Sequence, residues 1–309
     1  MTSPRACANC GHVNDGTFCS KCGQEHRELH RHIGDFLRDG VDALVHLDAK
    51  SMKTLLPLIF EPGQLSVDYL AGKRASQVAP LRLYLYISFF FFVLLGIYSQ
   101  HGDTKLIVIE ASSAPTVAAA QVGWAVGAPS HPASYPSESA SFAAEADEVE
   151  RRAANKRGAS LWLSRKFVAG LRKLAADPDR VKAQVITDFV RVLPKVIFLL
   201  VPLFGLILFA LFRHSRRYYV EHLIVAMHLH AFIFALMCCN VAVSIVHYSL
   251  VFDGATALIV FVYAFVAFRR VYARSFLQTL WRWWAVGALY GTCVIAGALA
   301  ALAIVFIEM

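Results

Sequence analysis

The sequence predicts an all-α integral membrane protein of about five transmembrane helices, with a small N-terminal zinc ribbon built on four cysteines. Three observations carry that expectation. Of the 309 residues, 57% are hydrophobic, too many for a chain of this length to fold as soluble domains. The excess falls in five long apolar runs that begin near residue 81. Ahead of them, Cys7-Ala8-Asn9-Cys10 and Cys19-Ser20-Lys21-Cys22 form two Cys-X-X-Cys knuckles. Each knuckle offers two thiolates to one side of a tetrahedron, so the pair completes the four-coordinate shell of a structural zinc and leaves no position open for substrate.

Residues 1–26 read as the ribbon. Gly11 and Gly23, one after each knuckle, suit the tight turn that points backbone amides at the sulfurs. The module is too short to bury a core, so it is expected to fold around its metal, whose binding supplies on the order of 10 kcal/mol. Four reduced ligand cysteines place this end in a reducing compartment. His12, His26, His30 and His32 surround the knuckles, but four cysteines already saturate zinc and these side chains read as solvated. Cys238, Cys239 and Cys293 lie in apolar runs and read as small buried hydrophobes. No cleavable signal peptide is expected ahead of the ribbon.

Residues 27–80 read as amphipathic helices on the cytoplasmic surface. Phe36, Leu37, Val41, Leu44 and Leu47, then Met52, Leu55, Leu56 and Ile59, recur mostly at three- and four-residue steps. Glu61-Pro62-Gly63 ends the second helix. The first span is expected over Leu81–Ser99, within residues 81–100. Four more candidates lie in residues 193–309: Leu193–Phe212, Val220 to about Leu250, Ala255–Phe268 and Trp284–Phe306. Trp281, Trp283 and Trp284 sit where an aromatic belt would anchor the last helix.

Residues 101–192 are assigned to the outside of the membrane. Ala111–Ala146, rich in Ala, Ser and Pro, reads as a disordered linker. Beyond it, Leu163, Phe167, Leu171 and Leu174 fall on one side of a helix, with Arg165, Lys166, Arg172 and Lys173 largely on the other. That pattern fits a surface-lying helix on anionic headgroups, or simple packing on a neighbouring loop.

Charge sets the orientation and argues against one class of partner. Residues 1–80 carry nine cations and nine anions, whereas residues 193–309 carry a surplus of five positive charges. A neutral ribbon lacks the lysine and arginine excess that phosphate contact requires, so nucleic acid is not its expected partner. Arg213, Arg216 and Arg217 follow the second span, and Arg269, Arg270, Arg274 and Arg282 fill the connection from the fourth to the fifth. The positive-inside bias then places the N-terminus in the cytoplasm, and the arginines read as topological anchors.

The richest polar cluster is Glu221, His222, His228 and His230 on the third span. Ionisable residues inside a span mark a candidate functional site. Glu221 and His228 lie within about 20° of each other but roughly 10 Å apart along the axis, and His228 and His230 point about 200° apart. One helix therefore cannot chelate a metal with them. A proton relay or metal site would need a second helix; the plainer reading is histidines hydrogen-bonding across the bundle or resting at the interface. No phosphate loop, nucleophile elbow or His-Glu-X-X-His helix appears, and no catalytic residue is assigned.

Phe18-Cys19-Ser20-Lys21-Cys22-Gly23-Gln24, Lys53-Thr54-Leu55 leading to Pro62-Gly63, Tyr69-Leu70-Ala71-Gly72-Lys73-Arg74 and Pro80 together resemble the bacterial family catalogued as domain of unknown function 3667. Leu193-Pro194-Lys195, Pro202-Leu203-Phe204, Tyr219-Val220-Glu221-His222 and His228-Leu229-His230 resemble its second half. The resemblance implies a zinc-ribbon, multi-pass protein of the bacterial cytoplasmic membrane and lends no reaction or substrate. Three functions stay open at this stage. The first is a membrane scaffold or sensor subunit whose ribbon docks a protein partner or second copy, or stabilises the cytoplasmic face of the bundle. The others are a transporter or channel component using the Glu/His cluster, and a membrane-embedded enzyme acting on lipid or quinone.

Overall fold

A computed structural model of the chain describes residues 5–14, 16–25, 50–100, 138–215, 217–246 and 250–308. The helix expected around Val41, most of the Ala/Ser/Pro stretch, and His26, His30, His32, Arg216 and His247 lie outside these residues. The elements are β1 (Arg5–Ala6), β2 (Val13–Asn14), α1 (Lys50–Phe60), α2 (Gln64–Leu70), α3 (Pro80–Gln100), α4 (Glu138–Ala153), α5 (Ala159–Ala176), α6 (Pro178–Leu211), α7 (Tyr219–Val246), α8 (Leu250–Tyr272) and α9 (Phe276–Glu308). Five of them, α3, α6, α7, α8 and α9, are long and apolar enough to cross a membrane. The fold is thus helical with an N-terminal four-cysteine cluster, as the composition required.

The chain divides into two compact units, residues 1–96 with 192–300 and residues 97–191 with 301–309. In the first, α7 is buried without interruption from His222 to Phe232, so the unit packs around it on all sides. Aromatic pairs fix its neighbours: Phe91 of α3 stacks on Phe234 at 5.1 Å, and Phe232 stacks on Tyr263 of α8 at 3.5 Å. Phe204 of α6 meets Tyr290 of α9 edge-on at 4.6 Å.

The helix expected around Met52–Ile59 is α1, and it stops at the anticipated Glu61-Pro62-Gly63 break. Thr54 and Leu58 are wholly buried, and Leu65 and Ser66 of the short α2 that periodicity did not signal are also buried. The Tyr263 hydroxyl of α8 donates to the Leu58 carbonyl. Gly63, at φ +75°, comes so close to α8 that a Cβ would lie 2.9 Å from the Ala267 backbone. The α1–α2 pair is therefore seated against α7 and α8.

Span limits also move. Helix α6 starts at Pro178, well before Leu193, and continues through Pro194 and Pro202. Helix α8 reaches from Leu250 to Tyr272 where the sequence marked a short Ala255–Phe268 run, because Asp253 and Gly254 are accommodated in its first turns. Trp281, Trp283 and Trp284 lie inside α9, and Trp283 is buried. The arginines near these helix ends bond to carbonyls across the connections. Arg217 donates to Val271 O at 3.0 Å, Arg282 to Leu211 O at 3.2 Å and Arg274 to His214 O at 3.3 Å. Cations at α6 and α8 C-termini satisfy orphan carbonyls and complement the helix dipoles.

In the second unit, α4 and α5 form a helical hairpin whose core is Ala146, Val168 and Leu171, packed by Phe142, Val149 and Phe306. Residues 138–146, read from composition as part of a linker, are helical because Phe142, Ala146 and Val149 recur at helical spacing on the buried side. Helix α5 is where its periodicity put it, but its apolar side is divided: Leu171 and Val168 pack on α4, while Leu163 and Phe167 stay exposed. Arg172 pairs with Glu150 and Asp147 of α4.

Candidate metal centre and the buried histidines

The two knuckles adopt one conformation twice. The amides of Gly11 and Gly23 donate to the carbonyls of Cys7 and Cys19, both at 2.8 Å. The amides of Cys7 and Cys19 in turn donate to His12 O and Gln24 O, at 2.9 and 2.8 Å. Gly11 and Gly23 have φ of +72° and +71°, the left-handed backbone that glycine adopts without strain. The β1–β2 pair, with Arg5 opposite Asn14 and Ala6 opposite Val13, closes the first hairpin, and a Phe18–Glu25 bridge closes the second.

This brings Cys7, Cys10, Cys19 and Cys22 together, with all four sulfurs within 4.8 Å of one another. The Cys7–Cys22 and Cys10–Cys19 sulfurs are each 3.6 Å apart. A tetrahedron with metal–sulfur bonds of about 2.3 Å has edges of about 3.8 Å, so the set fits a thiolate-coordinated ion of that size. Its chemistry fits as well. A Gln24 backbone hydrogen bond brings the Cys22 thiol down to about 6. At Cys10 the corresponding bond from His12 also favours the thiolate, but desolvation and the neighbouring sulfurs outweigh it and push that thiol up to about 11. Four sulfurs this close cannot all ionise unaided, and a divalent cation removes that conflict. Among the described residues these cysteines are the group that can hold a metal ion.

The ribbon is fastened to the loop between α2 and α3 chiefly by Gln24. Gln24 Nε2 donates to Gly72 O at 2.7 Å, while its Oε1 accepts from the amides of Arg74 and Ala75 at 3.0 and 3.1 Å. Ser76 Oγ adds a bond to Asn9 Oδ1 at 2.8 Å, and Ala8 abuts Gly72, where a Cβ would sit 3.1 Å from it. The same loop continues to Val78, whose amide donates to the buried Thr54 Oγ1 at 3.1 Å. Gln24 was legible only as part of the family resemblance; nothing in local spacing announces a partner 48 residues away.

The polar residues of α7 are not gathered into one cluster. His222 shares a 2.7 Å hydrogen bond with the Tyr272 hydroxyl of α8, and His228 shares one of 2.9 Å with Ser66 of α2. His230 Nδ1 donates to Ala226 O at 2.8 Å, which leaves Nε2 to accept from the Tyr290 hydroxyl of α9 at 2.7 Å. Glu221 is half-buried and makes no ion pair among the described residues. Each histidine thus ties α7 to a different element. Ser66, Tyr272 and Tyr290 were not singled out in the sequence, since a lone Ser or Tyr in an apolar run carries no spacing signal. Arg82, in the first turn of α3, is buried, with Nε and Nη2 unbonded among the described residues and its guanidinium 5.3 Å from the Tyr86 ring.

The fold and these sites define a multi-pass helical membrane protein with a metal-capable four-cysteine ribbon clamped to the loop before its first span. Residues 48–92, which comprise α1, α2, that loop and the first half of α3, match a family model described as Protein of unknown function (DUF3667). No curated protein and no solved structure matches the chain.

Proposed function

We propose that the chain is a scaffold or sensor subunit of the bacterial cytoplasmic membrane, in which a zinc-loaded cytoplasmic ribbon sets the order of the loop leading into the first span. The observation that carries this reading is the three-bond clamp of Gln24 on Gly72, Arg74 and Ala75. A ribbon whose strands are two residues long has no core of its own, so its shape depends on the ion. Losing the ion removes the platform that positions Gln24. The loop then loses its acceptor at Arg74 and Ala75, and through Val78 and Thr54 the change reaches the α1–α2 pair seated on α7. Metal occupancy, loop order and packing of the α1–α2 pair form one linked equilibrium, which a protein partner or second copy on the ribbon can read or bias.

The separate tethering of His222, His228 and His230 favours this account over a transporter path through α7, which needs those groups in succession along one channel. The test is hydrogen exchange on purified full-length protein before and after zinc removal by a chelator. Amides 72–78 should lose protection with the metal while those of α8 keep it. Unchanged exchange at 72–78 in metal-free protein would sink the proposal.

A further inference from the structure

The second unit contains an apolar groove of about 610 Å³, walled by Val149, Leu163, Phe167, Val185, Leu302 and Phe306. That volume lies within the roughly 300–1,000 Å³ of small-molecule sites. Two polar side chains, Lys156 and Ser164, share its wall. Lys156 Nζ donates to Ser164 Oγ at 3.1 Å, and the buried Ser164 hydroxyl spends its own proton on Ser160 O at 2.9 Å. The ammonium is thereby fixed at the groove with two N–H bonds still to give. Arg151 and Arg152 pair with Glu148, and Arg172 with Glu150 and Asp147. Lys156 has no carboxylate partner among the described residues.

We infer that this groove binds a single-chain anionic amphiphile, its head on Lys156 and its hydrocarbon along Leu163, Phe167 and Phe306. An apolar chain gains by leaving water for these walls, which gives affinity without direction. The lone ammonium at one end supplies direction and selects an anionic head, because a charge-assisted hydrogen bond is stronger than a neutral one. Gly170 keeps the far wall in place: a Cβ there would lie 2.6 Å from the Phe306 ring, so the ring rests on bare backbone and out of the groove. A long-chain carboxylate and a single-chain phospholipid both satisfy this chemistry.

Full-length protein in an uncharged detergent, titrated with the fluorescent fatty acid cis-parinaric acid, tests the inference. Saturable binding near one per chain is expected, displaced by oleate and at least tenfold less well by oleyl alcohol of the same length. Lys156 lies exposed in the α4–α5 turn, away from the hairpin core, so its variants should fold. Lys156→Gln should weaken binding about tenfold, the effect of losing a charged hydrogen bond, and Lys156→Arg should restore most of it. Stronger displacement by oleoyl lysophosphatidate than by oleate assigns the site to a lipid phosphate, and the reverse order assigns it to a fatty carboxylate. Equal displacement by the alcohol, unchanged affinity in Lys156→Gln, or no saturable binding would each overturn the inference.

Discussion

Replacing Gln24 by alanine removes the side chain that fastens the ribbon to the loop before α3. Three hydrogen bonds disappear together, the donation to Gly72 O at 2.7 Å and the acceptances from Arg74 N and Ala75 N at 3.0 and 3.1 Å. Each contributes roughly 0.5–1.5 kcal/mol net. Gln24 is only 8% exposed, so water cannot fully take over the released groups. The docked state should weaken by about 2–3 kcal/mol, a shift of roughly 30- to 150-fold in the local opening equilibrium. Hydrogen exchange by mass spectrometry reads this as faster exchange at Arg74 and Ala75 by that factor, with zinc content held at the wild-type level. Gln24→Glu keeps an acceptor for both amides and loses only the bond to Gly72, so its effect should be about tenfold or less. If Gln24→Ala leaves exchange at Arg74 and Ala75 unchanged while the metal stays bound, the clamp does not order the loop and the coupling between ribbon and bundle is refuted.

Other changes test the packing and the metal chemistry. Gly63→Ala forces a side chain onto a backbone at φ +75° and sets its Cβ 2.9 Å from Ala267 main-chain atoms. It should cost about 2–4 kcal/mol and lower the unfolding temperature in detergent, and Ala267→Gly should not rescue it because the clash is with backbone. Tyr290→Phe strips the donor from His230 Nε2. A loss of about 1 kcal/mol is expected, with a double-mutant cycle against His230→Phe showing most of it as coupling; additive effects would deny the bond a stabilising role. Zinc binding displaces thiol protons, so affinity measured by chelator competition should fall as pH drops. The fall should steepen below about 6, where Cys22 also takes up a proton. A flat profile from pH 8 to 5 would exclude four-thiolate coordination.

The sequence disclosed what depends on local pattern. Cys-X-X-Cys spacing with a following glycine encodes a knuckle within five residues, and both knuckles formed as read. Long apolar runs announce spans because a helix satisfies its own backbone in lipid. The Met52–Ile59 periodicity gave α1 and the Glu61-Pro62-Gly63 break, but not which surface α1 would bury; that was decided by Gly63 meeting Ala267, some 200 residues away in the chain. Composition misjudged residues 138–146 because alanine reads alike in a linker and in a closely packed hairpin, and the deciding contact, Ala146 with Val168 and Leu171, is tertiary. The histidines of α7 were visible as unusual. Their partners Ser66, Tyr272 and Tyr290 each come from another element, so no single-helix geometry could have supplied them.

Metal content of the purified full-length chain tests the central claim most directly. Protein prepared under reducing conditions and analysed by elemental mass spectrometry should carry about one zinc per chain, and a Cys10→Ser variant should lose most of it. Full zinc occupancy in Cys10→Ser, or wild-type protein that takes up no zinc when titrated, would contradict the assignment of Cys7, Cys10, Cys19 and Cys22 as one structural site.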